Sequence, residues 1–341
     1  MKTFITGGTG LLGANVIREL LSRGHEVRAL VRKGSDLSVI RGLDIELFEG
    51  DLSDEQSLYE GCKGFDYVIH AAALTPGFST DFSELAKVNI RGTQNMVRAA
   101  ERAKITRMVY VSSCCVFGGG SKEIPGTELS EFTGFRFNSG YINSKYLAHQ
   151  WVLSEIEKKR LPIVLVNPTL MIGPYSSHPG SGEIILRALR EQLQLCPSGG
   201  KNFIDVRDAA IGTCNALTMG IVGESYLLAS ENLTFSEIYE KVNRISGKPG
   251  FKIVVPRLIL NTMGLAGNFI RMMSNKKVRL NFSNSRQLSC QCYFSASKAV
   301  RFLRLPQHPV DQAIHDAIEW FVLNNYIQLN AVQEPQFRVA A

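Results

Sequence analysis

The sequence predicts an α/β protein, a doubly wound parallel sheet followed by a smaller C-terminal lobe. Three observations carry this expectation. An N-terminal apolar strand breaks on a glycine cluster that runs straight into a helical pattern. Short apolar segments then alternate with amphipathic ones through the first half of the chain. After Asn167-Pro168 the alternation loosens into segments punctuated by glycine and proline.

Residues 3–13 read Thr-Phe-Ile-Thr-Gly-Gly-Thr-Gly-Leu-Leu-Gly. Phe4-Ile5 forms the strand, and Leu11, Leu12, Val16, Ile17, Leu20 and Leu21 mark a helix over 11–22. Between them lies Gly7-x-x-Gly10-x-x-Gly13. Gly7 allows the tight turn, Gly10 the close approach of a phosphate, and Gly13 close packing of helix on sheet. Such a turn presents bare backbone N–H groups to a pyrophosphate, as in Rossmann-type folds.

Further strands are expected at 26–31, 45–49, 67–71, 108–112 and 163–166, with helices at 54–61, 83–103 and 143–159. This βα alternation places a parallel sheet between two helical layers. The dinucleotide-binding domain is assigned to 1–170, with 201–230 returning to it. The substrate-binding lobe takes 171–200 and 231–325, and 326–341 forms a tail. Asp311 to Phe321 reads as a closing amphipathic helix capped by Asp311.

Hydrophobic residues make up 45% of the 341, and mean hydropathy is near zero, as in a soluble globular chain. Met1-Lys2 leads directly into a strand, leaving no leader segment, and no apolar run approaches the ~20 residues of a membrane span. The expected location is cytoplasmic. Seven cysteines include Cys114-Cys115 and Cys290-x-Cys292, and neither spacing suits a metal, so no metal site is expected.

The net charge of +7 is uneven. Lys241 to Val310 contains thirteen Lys and Arg and no Asp or Glu, so the remainder sums to −6. No nucleic-acid motif or interleaved aromatic residues accompany that charge, so nucleic acid is not an expected partner. An anionic substrate or a membrane surface fits the charge at least as well.

Tyr141-Ile142-Asn143-Ser144-Lys145 puts a phenol and an amine on one helix face, roughly 6 Å apart. A phenol with a pKa near 10 is a poor acid–base catalyst at neutral pH. The ammonium, helped by an oxidised nicotinamide's positive charge, is expected to lower it. Upstream, Val111-Ser112-Ser113 ends a strand where a hydroxyl can face the crevice. A lone Tyr-x-x-x-Lys is equally an exposed helix pair; its position after the glycine turn and the strand-end serine gives it weight.

With these residues the chain resembles the extended short-chain dehydrogenase/reductase family over most of 1–325. The matching motifs are Thr6-Gly7-Gly8-Thr9-Gly10-Leu11-Leu12-Gly13, Gly50-Asp51-Leu52, His70-Ala71-Ala72-Ala73, Asn89-x-x-Gly92-Thr93, Ser112-Ser113, Tyr141-x-x-x-Lys145 and Asn167-Pro168. Within the family it is most similar to the dihydroflavonol-reductase-like branch, which includes hopanoid-associated sugar-epimerase-like proteins. The cues are Leu30-Val31-Arg32 with Ser35, Asn167-Pro168-Thr169, Phe203 to Ala209, and Glu231-Asn232-Leu233-Thr234.

The resemblance implies a catalytic set of Ser113, Tyr141, Lys145 and Asn89. Tyr141 would be the acid–base catalyst, and Lys145 would lower its pKa and hold the nicotinamide ribose. Ser113 fits the catalytic serine better than Ser112, and Asn89 would organise the active-site end of its helix. Gly7, Thr9, Gly10, Leu11, Leu12 and Gly13 would bind the dinucleotide, with Asp51 and Leu52 framing the adenine. Ala71, Ala72 and Ala73 would line its path and Pro168 would abut the nicotinamide. The resemblance also implies a homodimer through helices near 83–103 and 140–159.

Cofactor choice follows from the second strand's end, Leu30-Val31-Arg32-Lys33-Gly34-Ser35, which has no carboxylate until Asp36. Arg32 offers a fork for a 2′-phosphate, assisted by Lys33 or Ser35, so NADP(H) is expected over NAD(H). Cys114, Cys115 and His70 read as buried structural residues. Asp208 reads as a helix cap rather than a functional acid.

The expected reaction is hydride transfer between a nicotinamide and a carbonyl or secondary alcohol. One alternative is a nucleotide-sugar epimerase or dehydratase with retained NAD; another is a non-catalytic NADP-sensing module. The small-molecule substrate is expected to be apolar or anionic. Residues 257–277 combine an apolar run with basic Arg271, Lys276, Lys277 and Arg279. They read as a lobe helix, an apolar substrate channel, or a peripheral contact with an anionic membrane.

Overall fold

The computed structural model describes residues 1–75, 81–248, 250–274 and 282–328. Lys276, Lys277, Arg279 and the tail from residue 329 lie outside them. The first half runs β1 (Lys2–Thr6), α1 (Leu11–Ser22), β2 (Glu26–Val31), β3 (Glu46–Glu49), α2 (Glu55–Cys62) and β4 (Tyr67–His70). It continues through α3 (Phe82–Leu85), a π-helical turn (Ala86–Gly92), α4 (Thr93–Ala103), β5 (Arg107–Val111), α5 (Gly140–Lys159) and β6 (Ile163–Pro168).

The second half begins with β7 (Leu170–Ile172), α6 (Glu183–Arg190), β8 (Leu193–Pro197), β9 (Gly200–Asp205), α7 (Val206–Ala216) and β10 (Ser225–Leu228). Next come β11 (Glu231–Thr234), α8 (Phe235–Ser246), β12 (Phe251–Val255) and α9 (Arg257–Ser274). The last described elements are α10 (Phe282–Leu288), β13 (Gln291–Cys292), α11 (Ser297–Leu303) and α12 (Val310–Leu323).

Seven strands form a parallel sheet in the order β10-β6-β5-β4-β1-β2-β3. Every residue of β4 and β6 is buried, which explains why these segments read as continuous apolar runs rather than alternating ones. Side-chain alternation splits β1 between two cores: Ile5 packs with Val16, Ile17 and Val109, and Phe4 with Leu58, Met96 and Tyr110. Connections leave β1 and β4 in opposite directions across the sheet, opening a crevice at their carboxyl ends.

A smaller sheet, β11-β9-β13 with β7 also on β9, and a β12–β8 pair carry the rest. Ile185, Leu189, Ile238, Val242, Ile314 and Phe321 form their shared core with α6, α8 and α12. Residues 201–230 divide between the sheets: β9 joins the smaller one, and β10 the larger. Conversely, α11 packs Ala299 and Leu303 into the core of the larger sheet.

The expected helix 83–103 is instead α3, the π-helical turn and α4. Asp311 does not cap α12, whose N-cap is Pro309; its carboxylate accepts from Lys241 and Arg244 at 2.6 and 2.5 Å. Asp205, not Asp208, caps α7 by accepting from Arg207 N–H. Asp208 is buried and bonds His308, a partner 100 residues away that no local pattern announces. Among the described residues no helix is long and apolar enough to cross a membrane.

Candidate active site

The glycine turn is shaped by contact. Gly7 has φ +78°, and a Cβ there would lie 2.6 Å from Ala72 N. A Cβ on Gly13 would lie 2.1 Å from Gly7 O, so α1 rests directly on the turn. Gly10 differs: its Cβ would meet only Gly7 O, at 3.4 Å. The protein itself does not require glycine at position 10, and a group seated over the turn would. Gly10 supplies no side-chain cap and the first turn of α1 has no acidic residue, so its leading N–H groups suit an anion. These residues fit a pyrophosphate. Thr6 O and its hydroxyl accept from Ala71 N–H and Ala72 N–H, setting β4's end against the turn. From the other side, Ser177 donates to Thr9 O, and Asn15 bridges Leu11 O and Pro174 O.

At the ends of β2 and β3 lies an open cavity of about 570 Å³ lined by Arg32, Lys33, Ser35, Glu49, Asp51 and Asp54, among others. Ser35 Oγ accepts from Arg32 N–H at 3.2 Å, tightening the loop. Asp51 is held below the usual carboxylate range, first by hydrogen bonds from Ser53 and also by the Arg32 charge. The sequence offers no carboxylate at the end of β2, yet β3 and the residues after it deliver Glu49 and Asp51 to the same cavity. Leu52 O is tied by the Asn95 amide at 2.8 Å.

At β5's end the two serines separate. Ser112 is buried and hydrogen-bonds His149 Nδ1 at 3.0 Å. Ser113 accepts from Cys115 N–H at 3.3 Å, and its hydroxyl lies beside the Tyr141 phenol and favours its ionised form. Tyr141, Lys145 and His149 follow one another at four-residue spacing along α5, one face of the helix. Lys145 is buried; its Nζ donates to Val111 O at 3.0 Å and to the Tyr110 hydroxyl at 3.5 Å. One of its three protons remains for another acceptor.

The Tyr141 phenol is pushed above its ordinary value, first by burial, with the neighbouring Cys115 adding and the Ser113 hydrogen bond opposing. In the protein alone burial sets this direction; the expected lowering draws on an oxidised nicotinamide's positive charge as well as on the Lys145 ammonium. Burial, with the Lys145 charge second, pushes both His70 and His149 down to about 3, so both rings are neutral. His70 hydrogen-bonds Thr6 at 2.7 Å and Thr93 at 3.1 Å and stacks on Tyr110. The Cys114 and Cys115 thiols are also raised by burial and are not thiolates at neutral pH.

Asn89 sits in the π-helical turn. Its Oδ1 accepts from Leu74 N–H at 2.7 Å, and its Nδ2 donates to Leu74 O and to Ser144 Oγ, both at 3.0 Å. Its amide thus ties the segment after β4 to α5, one residue from Lys145. Asn167 Nδ2 donates to Ser113 O at 3.1 Å, and Pro168 ends β6 beside it. Sequence reasoning missed Tyr110 and Ser144. His149, four residues beyond Lys145, carried a spacing signal that could have found it.

A family profile described as the NAD dependent epimerase/dehydratase family matches residues 3–229. A putative dihydroflavonol 4-reductase of Synechocystis is 34% identical over 95% of this chain and 96% of its own. Sterol demethylase protein B of Methylococcus capsulatus is 30% identical over 94% and 98%. In fold, the chain matches the Thermus thermophilus UDP-glucose 4-epimerase solved with NAD, with TM-score 0.74, 18% identity and coverage of 94% and 99%.

Proposed function

Since the chain belongs to the NAD-dependent epimerase/dehydratase family, the extended short-chain dehydrogenases/reductases, we propose that it reduces a ketone or aldehyde of a small apolar or anionic molecule. One observation carries this reading: a phenol paired with Ser113, with Lys145 buried one helical turn behind it, at the carboxyl edge of the sheet that bears the glycine turn. A bound nicotinamide supplies the hydride. Ser113 and Tyr141 hydrogen-bond the carbonyl oxygen, and Tyr141 delivers its proton there as the alkoxide forms. A phenol kept protonated by burial suits this direction, since it must act as an acid.

Lys145 uses its remaining proton on the ribose and holds α5 to β5 through Val111 O. Asn89, with its amide fully engaged, is a positioning residue. Gly7, Thr9, Gly10, Leu11, Leu12 and Gly13 cradle the pyrophosphate, and Ala71, Ala72, Ala73 and Pro168 line the path to the nicotinamide. Arg32, with Lys33 and Ser35, selects NADP(H) over NAD(H) through the 2′-phosphate, and Asp51 and Leu52 frame the adenine. The family is NAD-dependent.

Oxidation of NADPH and NADH against a carbonyl panel tests the proposal; no turnover with any carbonyl would overturn it. The epimerase reading draws on Glu49 and Asp51, which can bind an unphosphorylated ribose; it predicts cofactor that stays bound through purification. A sensing module would keep its function after Tyr141→Phe. We further read the chain as a cytoplasmic homodimer through α4 and α5 that touches an anionic membrane peripherally.

A further inference from the structure

One outer surface is built against the usual rule for a water-facing wall. In the β8–β12 pair, Phe251 lies beside Leu193 and Ile253 beside Leu195, and all four are exposed, Phe251 by 69%. The opposite side of β8 buries Gln194 and Cys196. Pro256 then leads into α9, which is amphipathic the wrong way round: Leu260, Gly264 and Gly267 face inward, while Leu258, Ile259, Met263 and Leu265 face out, Leu258 by 76%. Soluble chains rarely expose so continuous an apolar strip without a partner for it.

The charge around the strip says which partner. It lies within or beside the stretch Lys241 to Val310, which has thirteen cations and no acid. Glu191 and Glu240, beside β8 and the stretch in sequence, pair with Arg187 and Lys252; Lys241, Arg244 and Lys298 are also paired, which leaves Lys248, Arg257, Arg286, Arg301 and Arg304 without an ion pair among the described residues. A two-fold contact between copies would bring two such cationic stretches face to face, at an electrostatic cost. An anionic bilayer complements both the apolar strip and the charge.

We propose that the exposed face of β8, β12 and α9 docks on an anionic lipid bilayer. Docking brings the lip of the active site to the membrane, because α9 packs on α10 and Ser283 of α10 donates to Phe137 O, four residues before Tyr141. An apolar carbonyl substrate then enters from the lipid phase; this last clause rests on the reductase reading, whereas the docking does not.

Flotation of the full chain with vesicles tests the surface. Phosphatidylcholine vesicles containing phosphatidylglycerol should carry the protein, phosphatidylcholine alone should not, and high salt should weaken the binding. The double variant Phe251→Glu/Leu258→Glu should bind the anionic vesicles about a hundredfold more weakly. Leu323→Glu, an exposed change elsewhere, should match the parent. Reduction of a water-soluble carbonyl should be unchanged in the double variant, which also shows that it folds. Absent flotation of the parent, or equal flotation of parent and double variant, overturns the proposal. So does a concentration-dependent dimer abolished by the double variant without lipid binding, which would give the face to a second copy. Flotation without any carbonyl reduction sustains the docking while removing the reductase reading.

Discussion

At the β5–α5 end of the crevice, Lys145, His149 and His70 are buried, each with named hydrogen-bond partners, and burial governs the Tyr141 phenol. At the β2–β3 end, Arg32 and Lys33 stand in solvent over an open cavity, with Glu49 and Asp51 nearby. The first arrangement fixes protonation states, because polar interactions strengthen where water is excluded. The second, which we propose selects among cofactors, does not commit its geometry, and salt screens it. On the proposed reading, chemistry and cofactor choice therefore fall in different dielectric environments.

The largest effect should come at the buried end. Tyr141→Phe is expected to lower kcat about 10³-fold while leaving cofactor Kd within about twofold, measured by steady-state turnover and fluorescence titration. Activity near the parent level would put the proton donor elsewhere.

Next comes the turn between the ends. Gly10→Ala should weaken cofactor binding about a hundredfold yet leave Tm nearly unchanged, because no protein atom opposes its Cβ closely. Gly13→Ala, with Gly7 O at 2.1 Å from the added carbon, should lower Tm as well. Equal melting of the two would erase the distinction between a turn shaped by protein and one shaped by ligand.

At the open end, Arg32→Ala should raise the NADP(H) Kd about tenfold and the NAD(H) Kd less than twofold, with the NADP(H) difference shrinking in high salt. Equal effects on both cofactors would remove the selectivity argument.

The smallest effect is a flat line. A general acid fails as pH rises through its pKa, and the phenol of Tyr141 is held above its ordinary value. Reductive kcat should therefore stay constant between about pH 6 and 9. A falling limb below pH 8 would mean that something other than burial sets the donor.

What could be read from the chain was local. The glycine turn, α1 and the Tyr141–Lys145 spacing depend on neighbours within one or two turns, and α1 falls on the expected residues. Whatever depended on distant partners could not be read. Asp208 finds His308 only after folding, β9 joins a sheet completed by residues near 291, and Asp51 reaches the Arg32 cavity from another strand. The phenol's surroundings show the same limit: spacing revealed the ammonium but not the burial around the ring, nor the Val111 carbonyl to which the ammonium donates.

The π-helical turn at Ala86–Gly92 sets a constraint on chain length rather than on side chains. Removing one residue there would let the segment close into an ordinary α-helix with better-aligned bonds, yet it would rotate Asn89 by about 100° relative to α4. The bridge from Leu74 to Ser144 would part. Insertion or deletion of a single residue along this stretch would therefore shift the whole downstream helix out of phase with the crevice it serves.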